Sequence, residues 1–220
     1  MPLSITCDEK SCLIHHVFSL YVKHGIEGIS MDEVAKQVKI SKATIYKYLK
    51  SKEDIIREII NERINHLNAV QFTTDQGING IVECLSNIYF EGVITGAYSS
   101  SKFLVHLECK FPNILSDYRI ALDYTQKRFE CFFDSAVQKG YCKQVSIHLI
   151  CAQLKMMLPG IIEVKDSDDN ISIPTAIKEY YRLLLYQLLS VEYMDIINQD
   201  STYLFVDELV ELLRSRFLIE

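Results

Sequence analysis

Apolar side chains recur at spacings of three and four along most of the chain, a helical period, and the alternation that strands require is rare. The runs that carry this period are punctuated by glycine and proline. Gly25 and Gly28, Gly77 and Gly80, Gly92 and Gly96, Gly140 and Gly160 lie at or between their edges, as do Pro2, Pro112, Pro159 and Pro174. Glycine past a helix end and proline near a helix start suit the unpaired backbone groups there. The pattern predicts an all-α fold with helices at 8–24, 31–38, 42–48, 52–73, 78–91, 99–110, 113–139, 146–163, 175–198 and 203–217. The clearest is 113–139, with Leu115, Tyr118, Leu122, Phe129, Phe132 and Ala136 on one face and Gly140 at its end. At 1.5 Å per residue it reaches about 40 Å, enough to be the spine of a larger domain. The acidic stretch Lys165 to Asn170, with Asp166, Asp168 and Asp169, reads as a solvated connection.

Residues 30–59 carry the densest local signals. Ser30 with Glu33 three residues later is a capping box, so a helix starts at Met31. Val34 and Val38 lie one turn apart, with small Ala35 beside them. Ile40 follows in a turn, and Ser41 caps a second short helix in which Ile45 and Tyr48 or Leu49 point inward. Ser51 and Asp54 form the next cap, ahead of Ile55, Ile56 and Ile59. Two short helices joined by a tight turn, with a small residue at their crossing, describe a helix-turn-helix. The second helix exposes Lys42, Ala43, Thr44 and Lys47, short or basic groups able to enter a major groove; Tyr46 points either to the groove or to the core.

Charge sharpens this reading. The 220 residues carry a formal net charge of −6, yet residues 1–60 hold 9 Lys/Arg against 8 Asp/Glu. Between Val34 and Lys52 there are six lysines and no acid. Such a run favours an anionic partner. Composition is otherwise that of an ordinary globular chain, 49% apolar and 24% charged. Seven cysteines without a CxxC spacing offer neither a disulfide scaffold nor a zinc ribbon. No signal peptide or membrane span is evident, and Leu183 to Val191 is too short to cross a bilayer. A soluble cytoplasmic protein with reduced thiols is expected. There is no GxSxG, no phosphate-cradling glycine loop and no HExxH. No enzyme activity, cofactor or metal site is expected.

The segment GIEGISMDEVAKQVKISKATIYKYLKSKEDII resembles the DNA-binding domain of the TetR family of bacterial transcriptional regulators. The resemblance rests on the glycine closing the first helix (Gly25), on Val34-Ala35, on Ser41, Thr44, Ile45 and Tyr46 in the recognition helix, and on Tyr48 and Lys52 after it. Lys39 stands where the family usually has glycine, Leu49 where it has phenylalanine, and His16 and Val17 where it has small residues. A left-handed Lys39 would cost about 1 kcal/mol, which a phosphate contact could offset. The resemblance implies a three-helix DNA-binding domain at 8–66, followed at 67–220 by a larger helical effector-binding and dimerisation domain.

It also implies roles. Ser30, Tyr48 and Lys52 hold phosphates, and Lys39 is positioned to join them. Lys42, Ala43, Thr44, Tyr46 and Lys47 face the bases of a double-stranded operator. A homodimer presents two recognition helices to a near-palindrome. Its surface is sought in Tyr180 to Leu189 and in the last helix, with Phe205, Leu209, Leu212 and Leu213. An unknown small-molecule effector is expected among the helices at 78–139, coupled to DNA through 52–73. Its candidate walls are Tyr89, Phe90, Phe103, His106, Tyr124, Phe129, Phe133 and Met156. The function implied is a ligand-responsive regulator, with repression as the sign. The alternatives are a redox-responsive regulator using Cys109, Cys131, Cys142 or Cys151, and a helical interaction protein that keeps the fold without specific DNA binding.

Overall fold

The computed structural model describes residues 9–162 and 171–217 apart from Val38 and Leu49, without the side chains of residues 9–12, 44, 47, 48 and 100. The acidic stretch 165–170 therefore lies outside the described residues, as does Cys7. Among the described residues the chain is all-α, as its periodicity predicts. The helices are α1 (Glu9–His24), α2 (Met31–Gln37), α3 (Lys42–Tyr48), α4 (Lys52–Ala69), α5 (Gly77–Ser100), α6 (Lys102–Lys110), α7 (Pro112–Gln138), α8 (Ile147–Ile162), α9 (Ile173–Leu188) and α10 (Phe205–Phe217). Two 3₁₀ turns, Val191–Asn198 and Asp200–Tyr203, join α9 to α10. No described helix is long and apolar enough to cross a membrane.

The N-terminal unit folds as its caps dictate. Ser30 Oγ accepts from the Glu33 amide at 3.2 Å, while the Ser30 amide and hydroxyl donate to Glu33 Oε2 at 2.8 and 2.7 Å. Ser51 Oγ accepts from the Asp54 amide at 3.1 Å. Each cap satisfies amides that the first helical turn leaves open. Val34 and Ile45 are fully buried where α2 and α3 cross, and Ile55, Ile56, Ile59 and Ile60 of α4 close the small core beneath them.

α4 is longer than this core needs. Its C-terminal half carries Arg63 and Leu67 into the larger unit, where α4 packs on α7 and α5 packs on α8. One helix thus belongs to both units, and the expected boundary at residue 66/67 falls inside it. α1 in turn touches α6 and α10 as well as α4.

Three departures from the predicted elements have physical causes. α5 does not stop before Gly92 but continues to Ser100, because Gly92 and Gly96 face α8 rather than ending a helix. A Cβ on Gly92 would stand 2.8 Å from Leu158 Cδ1, and one on Gly96 3.1 Å from the Leu158 carbonyl carbon and the Pro159 nitrogen. α4 ends at Ala69 rather than at residue 73, and the Val70 carbonyl beyond it is held by Arg128 of α7. The predicted helix at 175–198 stops at Leu188, where the Leu188 carbonyl accepts from the Lys143 amide at 2.7 Å and the Ser190 amide donates to Tyr141 O at 3.0 Å. A contact between segments distant in sequence there replaces the next helical turn.

Candidate nucleic-acid interface and effector cavity

The turn between α2 and α3 is closed by a left-handed residue. Lys39 has φ 56°, the only non-glycine with positive φ among the described residues. The Ile40 amide donates back to Ala35 O at 3.1 Å, the bond of a helix that ends in a Schellman motif. The geometry of this end requires a left-handed residue, so the strain anticipated from the Lys39 departure is present. Lys39→Gly is accordingly expected to raise stability by up to ~1 kcal/mol, read from the denaturation midpoint.

The surface built on this turn is short and basic. Lys42, Ala43 and Tyr46 are exposed on α3, Tyr46 at 38%, which settles its orientation outward rather than into the core. The side chains of Thr44, Lys47 and Tyr48 lie outside the described set, although their backbone is helical. Lys42 Nζ sits 2.9 Å from Asp32 Oδ1 of α2, and the hydrogen bond to Asp32 raises its pKa. That pair is exposed, hence weak enough to exchange for a phosphate or base acceptor. Ser30 is exposed at the head of α2, its hydroxyl engaged in the capping box. Lys52 is half-buried. Its Nζ donates to Ile29 O at 3.2 Å and lies 5.8 Å from the centre of the Tyr21 ring, and burial lowers its pKa.

Two contacts tie this unit to the rest of the chain. Gly25 ends α1 with φ 77°, and the next amide, Ile26 N–H, donates to His106 Nδ1 of α6 at 3.2 Å. The imidazole rests where a Gly25 side chain would be, so a Cβ there would stand 2.3 Å from His106 Cε1. The second contact centres on Glu62 of α4. It pairs with His15 of α1, lies 3.7 Å from Arg216 Nη1 of α10, and has His66 at 3.9 Å. Burial raises the Glu62 carboxyl, but hydrogen bonds from His15 and His66 and the charges of His15 and Arg216 hold it down to about 2. Because the folded pKa is depressed, this stabilisation is fully present above the unfolded carboxylate range and is lost as pH falls from about 4.5 towards 2. Glu62→Gln should flatten the acid limb of a stability–pH curve over that window.

Between α4, α5, α7 and α8 lies a cavity of about 390 Å³. Its walls are mainly apolar, with Leu67, Ile88, Leu122, Phe129, Leu154 and Leu158 among them. Glu91 and Thr125 are its buried polar residues, and Arg119, Asp123 and Lys155 stand at its exposed edge. The volume suits a small organic ligand.

Of the aromatic and other wall residues expected from sequence, Phe129 lines this cavity. Phe133 is buried beside Phe129, ring centres 6.3 Å apart. Phe90 faces a second hollow between α1, α4, α5 and α10. Tyr89 is buried with its hydroxyl donating to Ile177 O at 2.8 Å. Phe103 fills the seam between α1 and α5, stacked on Tyr21 and edge-on to Phe18 and Tyr98. His106 serves the Gly25–Ile26 contact, Tyr124 is 55% exposed beneath Arg128, and Met156 is 80% exposed. The cavity is built instead by small residues and aliphatics. The four-residue spacing of Gly92 and Gly96 on one helix face was the sequence signal for it.

The cysteines divide by burial. Cys142 and Cys151 are buried, and burial pushes their thiols up to about 12 and about 11, which disfavours the reactive thiolate. Cys109 and Cys131 are exposed on α6 and α7. Among the described residues no group of three His, Cys, Asp or Glu is placed to hold a metal ion.

The last helix differs from the expected dimer surface. Leu209 and Leu213 are buried within the chain, because α10 folds back on α1, α5 and α9, with Phe217 edge-on to Phe18 and to Tyr98. Most of Tyr180–Leu189 is buried too. Apolar groups left outward are Leu183 and Tyr186 on α9, and Leu149, Met156 and Met157 on α8.

This geometry defines a class: a two-part helical protein with an N-terminal helix-turn-helix and a cavity-bearing helical unit. Residues 15–59 match the family described as bacterial regulatory proteins, tetR family, so the N-terminal unit is a TetR-family domain. The chain is also 27% identical over 82 residues to the biofilm operon icaADBC HTH-type negative transcriptional regulator IcaR of Staphylococcus aureus. That match spans 37% of this chain and 44% of the relative. Among solved structures, the fold resembles the ketosteroid transcriptional regulator KstR2 of Mycobacterium tuberculosis at TM-score 0.58 and 11% identity, covering 83% of this chain and 96% of that one. It also resembles AibR in complex with isovaleryl coenzyme A and operator DNA at TM-score 0.53 and 19% identity, covering 80% and 97%.

Proposed function

We propose that the protein is a cytoplasmic, homodimeric DNA-binding repressor whose affinity for its operator falls when a small molecule enters the cavity between α4, α5, α7 and α8. The observation that carries this reading is the helix-turn-helix itself. α3 is held by buried Val34 and Ile45 and presents exposed Lys42, Ala43 and Tyr46, next to the left-handed Lys39 that closes α2. Ser30, Lys39, Tyr48 and Lys52 are assigned to phosphates, and Lys42, Ala43, Thr44, Tyr46 and Lys47 to the major groove. The name of the staphylococcal relative, a negative regulator, supports repression as the sign. The neighbour solved with an acyl-coenzyme A and operator DNA supports effector control.

One recognition helix reads few base pairs, so specificity requires two. The outward apolar groups of α8 and α9, Leu149, Met156, Leu183 and Tyr186, are the surface proposed for pairing. α4 is the lever. It carries the DNA-binding core at one end and Arg63 and Leu67 at the other, so a ligand that shifts its upper half changes the spacing of the two recognition helices.

Selection of bound duplexes from a random pool, at two salt concentrations, tests the reading. Enrichment of a near-palindrome with steep salt dependence is expected; absence of any enriched sequence with a verified dimer would overturn it. Lys39→Ala should weaken binding to every duplex and reduce the slope of log affinity against log salt by roughly 0.9, one phosphate contact. Lys39 is a cleaner probe than Lys52, whose replacement also removes the bond to Ile29.

A further inference from the structure

Glu91 occupies an unusual place. It is a charged side chain buried to 9% exposure, and it belongs to the wall of the effector cavity and to that of the second hollow, about 530 Å³, between α1, α4, α5 and α10. Its carboxylate Oε2 is paired with Arg63 Nη1 of α4, and its backbone carbonyl accepts from Arg63 Nη2 at 3.0 Å. Arg63 also donates to Thr95 Oγ1 at 3.0 Å, and the Thr95 hydroxyl donates to Glu91 O at 2.8 Å. One guanidinium thus fastens the lever helix α4 to the cavity-lining helix α5, and Arg63 Nε has no hydrogen-bond partner among the described residues.

The cavity's own chemistry limits what can meet Glu91. The other buried polar residue on its wall, Thr125, already donates to Ala121 O at 2.9 Å, so its hydroxyl proton is spent. The charges at the edge are exposed and opposed. Arg119 pairs with Glu108 at 2.8 Å, Lys155 donates to Gln126 at 2.7 Å, and Asp123 stands beside them. Solvent and counterions screen such groups, whereas the buried Arg63–Glu91 pair is sheltered from them. Glu91 lines the cavity and Arg63 does not, so a ligand there meets the acceptor side of a charge-balanced pair in an apolar setting.

We propose that Glu91 reads the effector, and that the effector is a small apolar amine whose ammonium shares the Glu91 carboxylate with Arg63. This rests on the regulator reading above. An ammonium on the cavity side places a second cation against Arg63, weakens its hold on α5 and frees α4 to shift. No contact between the ligand and the DNA-binding unit is needed. The volume limits the apolar body to a ring or short branched chain.

The test uses three probes with one apolar body: cyclohexylmethylamine, cyclohexylmethanol and cyclohexanecarboxylate, titrated into the full chain by calorimetry. The amine is expected to bind about tenfold more tightly than the alcohol, because it adds an opposite full charge to the hydrogen bond that both donate to the carboxylate, with the carboxylate weakest. The amine alone should lower affinity for the selected duplex at least about fivefold. Single variants at this pair risk unfolding, so the informative variant is the double Arg63→Met/Glu91→Leu, which leaves no buried charge. It should bind amine and alcohol about equally, losing the amine preference, and hold DNA affinity constant to within about twofold whether or not amine is present. Equal binding of all three probes, preference for the carboxylate, no binding by any, or an amine preference that survives in the double variant would each overturn the proposal. Amine binding as expected by a protein that selects no duplex would instead uphold Glu91 as the reader and overturn the regulator reading.

Discussion

Arg63→Met and Glu91→Leu, made singly, are each expected to destabilise the protein by about 3–5 kcal/mol, whereas the double variant returns close to the parent. The asymmetry follows from burial. Arg63 is 5% exposed and Glu91 9%, and removing one leaves the other's charge in a low-dielectric interior with its hydrogen bonds unmade. Removing both replaces two desolvated ions with apolar volume beside Tyr98, whose ring centre lies 5.8 Å from the Arg63 guanidinium carbon. For a chain of this size 1 kcal/mol shifts the melting temperature by roughly 2–4 °C, so each single variant should melt roughly 6–20 °C lower. Calorimetric melting of the four proteins gives the full cycle. A double variant as unstable as the singles would mean that the pair holds α4 to α5 through packing rather than charge.

Gly25→Ala is expected to be the other severe change, at a site with no charge at all. Alanine at φ 77° costs about 1–2 kcal/mol from backbone sterics alone. Its Cβ would also stand 2.3 Å from His106 Cε1, and displacing the ring adds about 1–3 kcal/mol by the usual cost of overpacking. The two parts separate experimentally. His106→Ala alone loses the acceptor for the Ile26 amide, but in Gly25→Ala/His106→Ala the steric part vanishes. The double variant should therefore be more stable than the sum of the singles predicts, by roughly the steric term. Strict additivity in denaturant titrations would show that the imidazole moves aside without cost, and that α6 does not grip the end of α1. If it does grip, His106→Ala should also alter the response of DNA affinity to ligand, since α6 abuts the cavity-bearing unit.

These two sites were legible from sequence to different degrees. Gly25 was read as the residue that closes α1, and its positive φ agrees; nothing in the sequence placed a histidine 81 residues later against it. His106 was expected at the effector's wall; instead its imidazole accepts from the Ile26 amide beyond the end of α1. Arg63 and Glu91 gave no signal. Arg63 stands in a helix rich in charged neighbours and Glu91 is one of two charged residues on α5; for both, burial is decided by which face a second helix covers.

The aromatic residues misled in a consistent way. Tyr89, Phe103 and Phe133 were natural candidates for a ligand wall, yet large rings fill space, and the cavity lies where space is left unfilled. It is walled by Gly92 and Gly96 on one side and by Leu122, Leu154 and Leu158 on the other. The glycines had been read as punctuation. Inside a 24-residue helix they are instead a flat strip that lets α8 approach.

The N-terminal unit was determined by the sequence itself. Its caps at Ser30 and Ser51, its tight turn and its i, i+4 apolar spacing are all local, and local interactions depend on neighbours in the chain. Even the strain at Lys39 was foreseeable, because a left-handed turn position is a backbone requirement whatever residue stands there. The helix positions of the larger unit were likewise written in periodicity. Only the tertiary structure decided which helix faces meet: that α10 turns inward onto α1, that Arg63 finds Glu91, and where the cavity opens. Those outcomes depend on contacts between residues far apart in sequence, and a helical period fixes which side chains share a face but not what that face will touch.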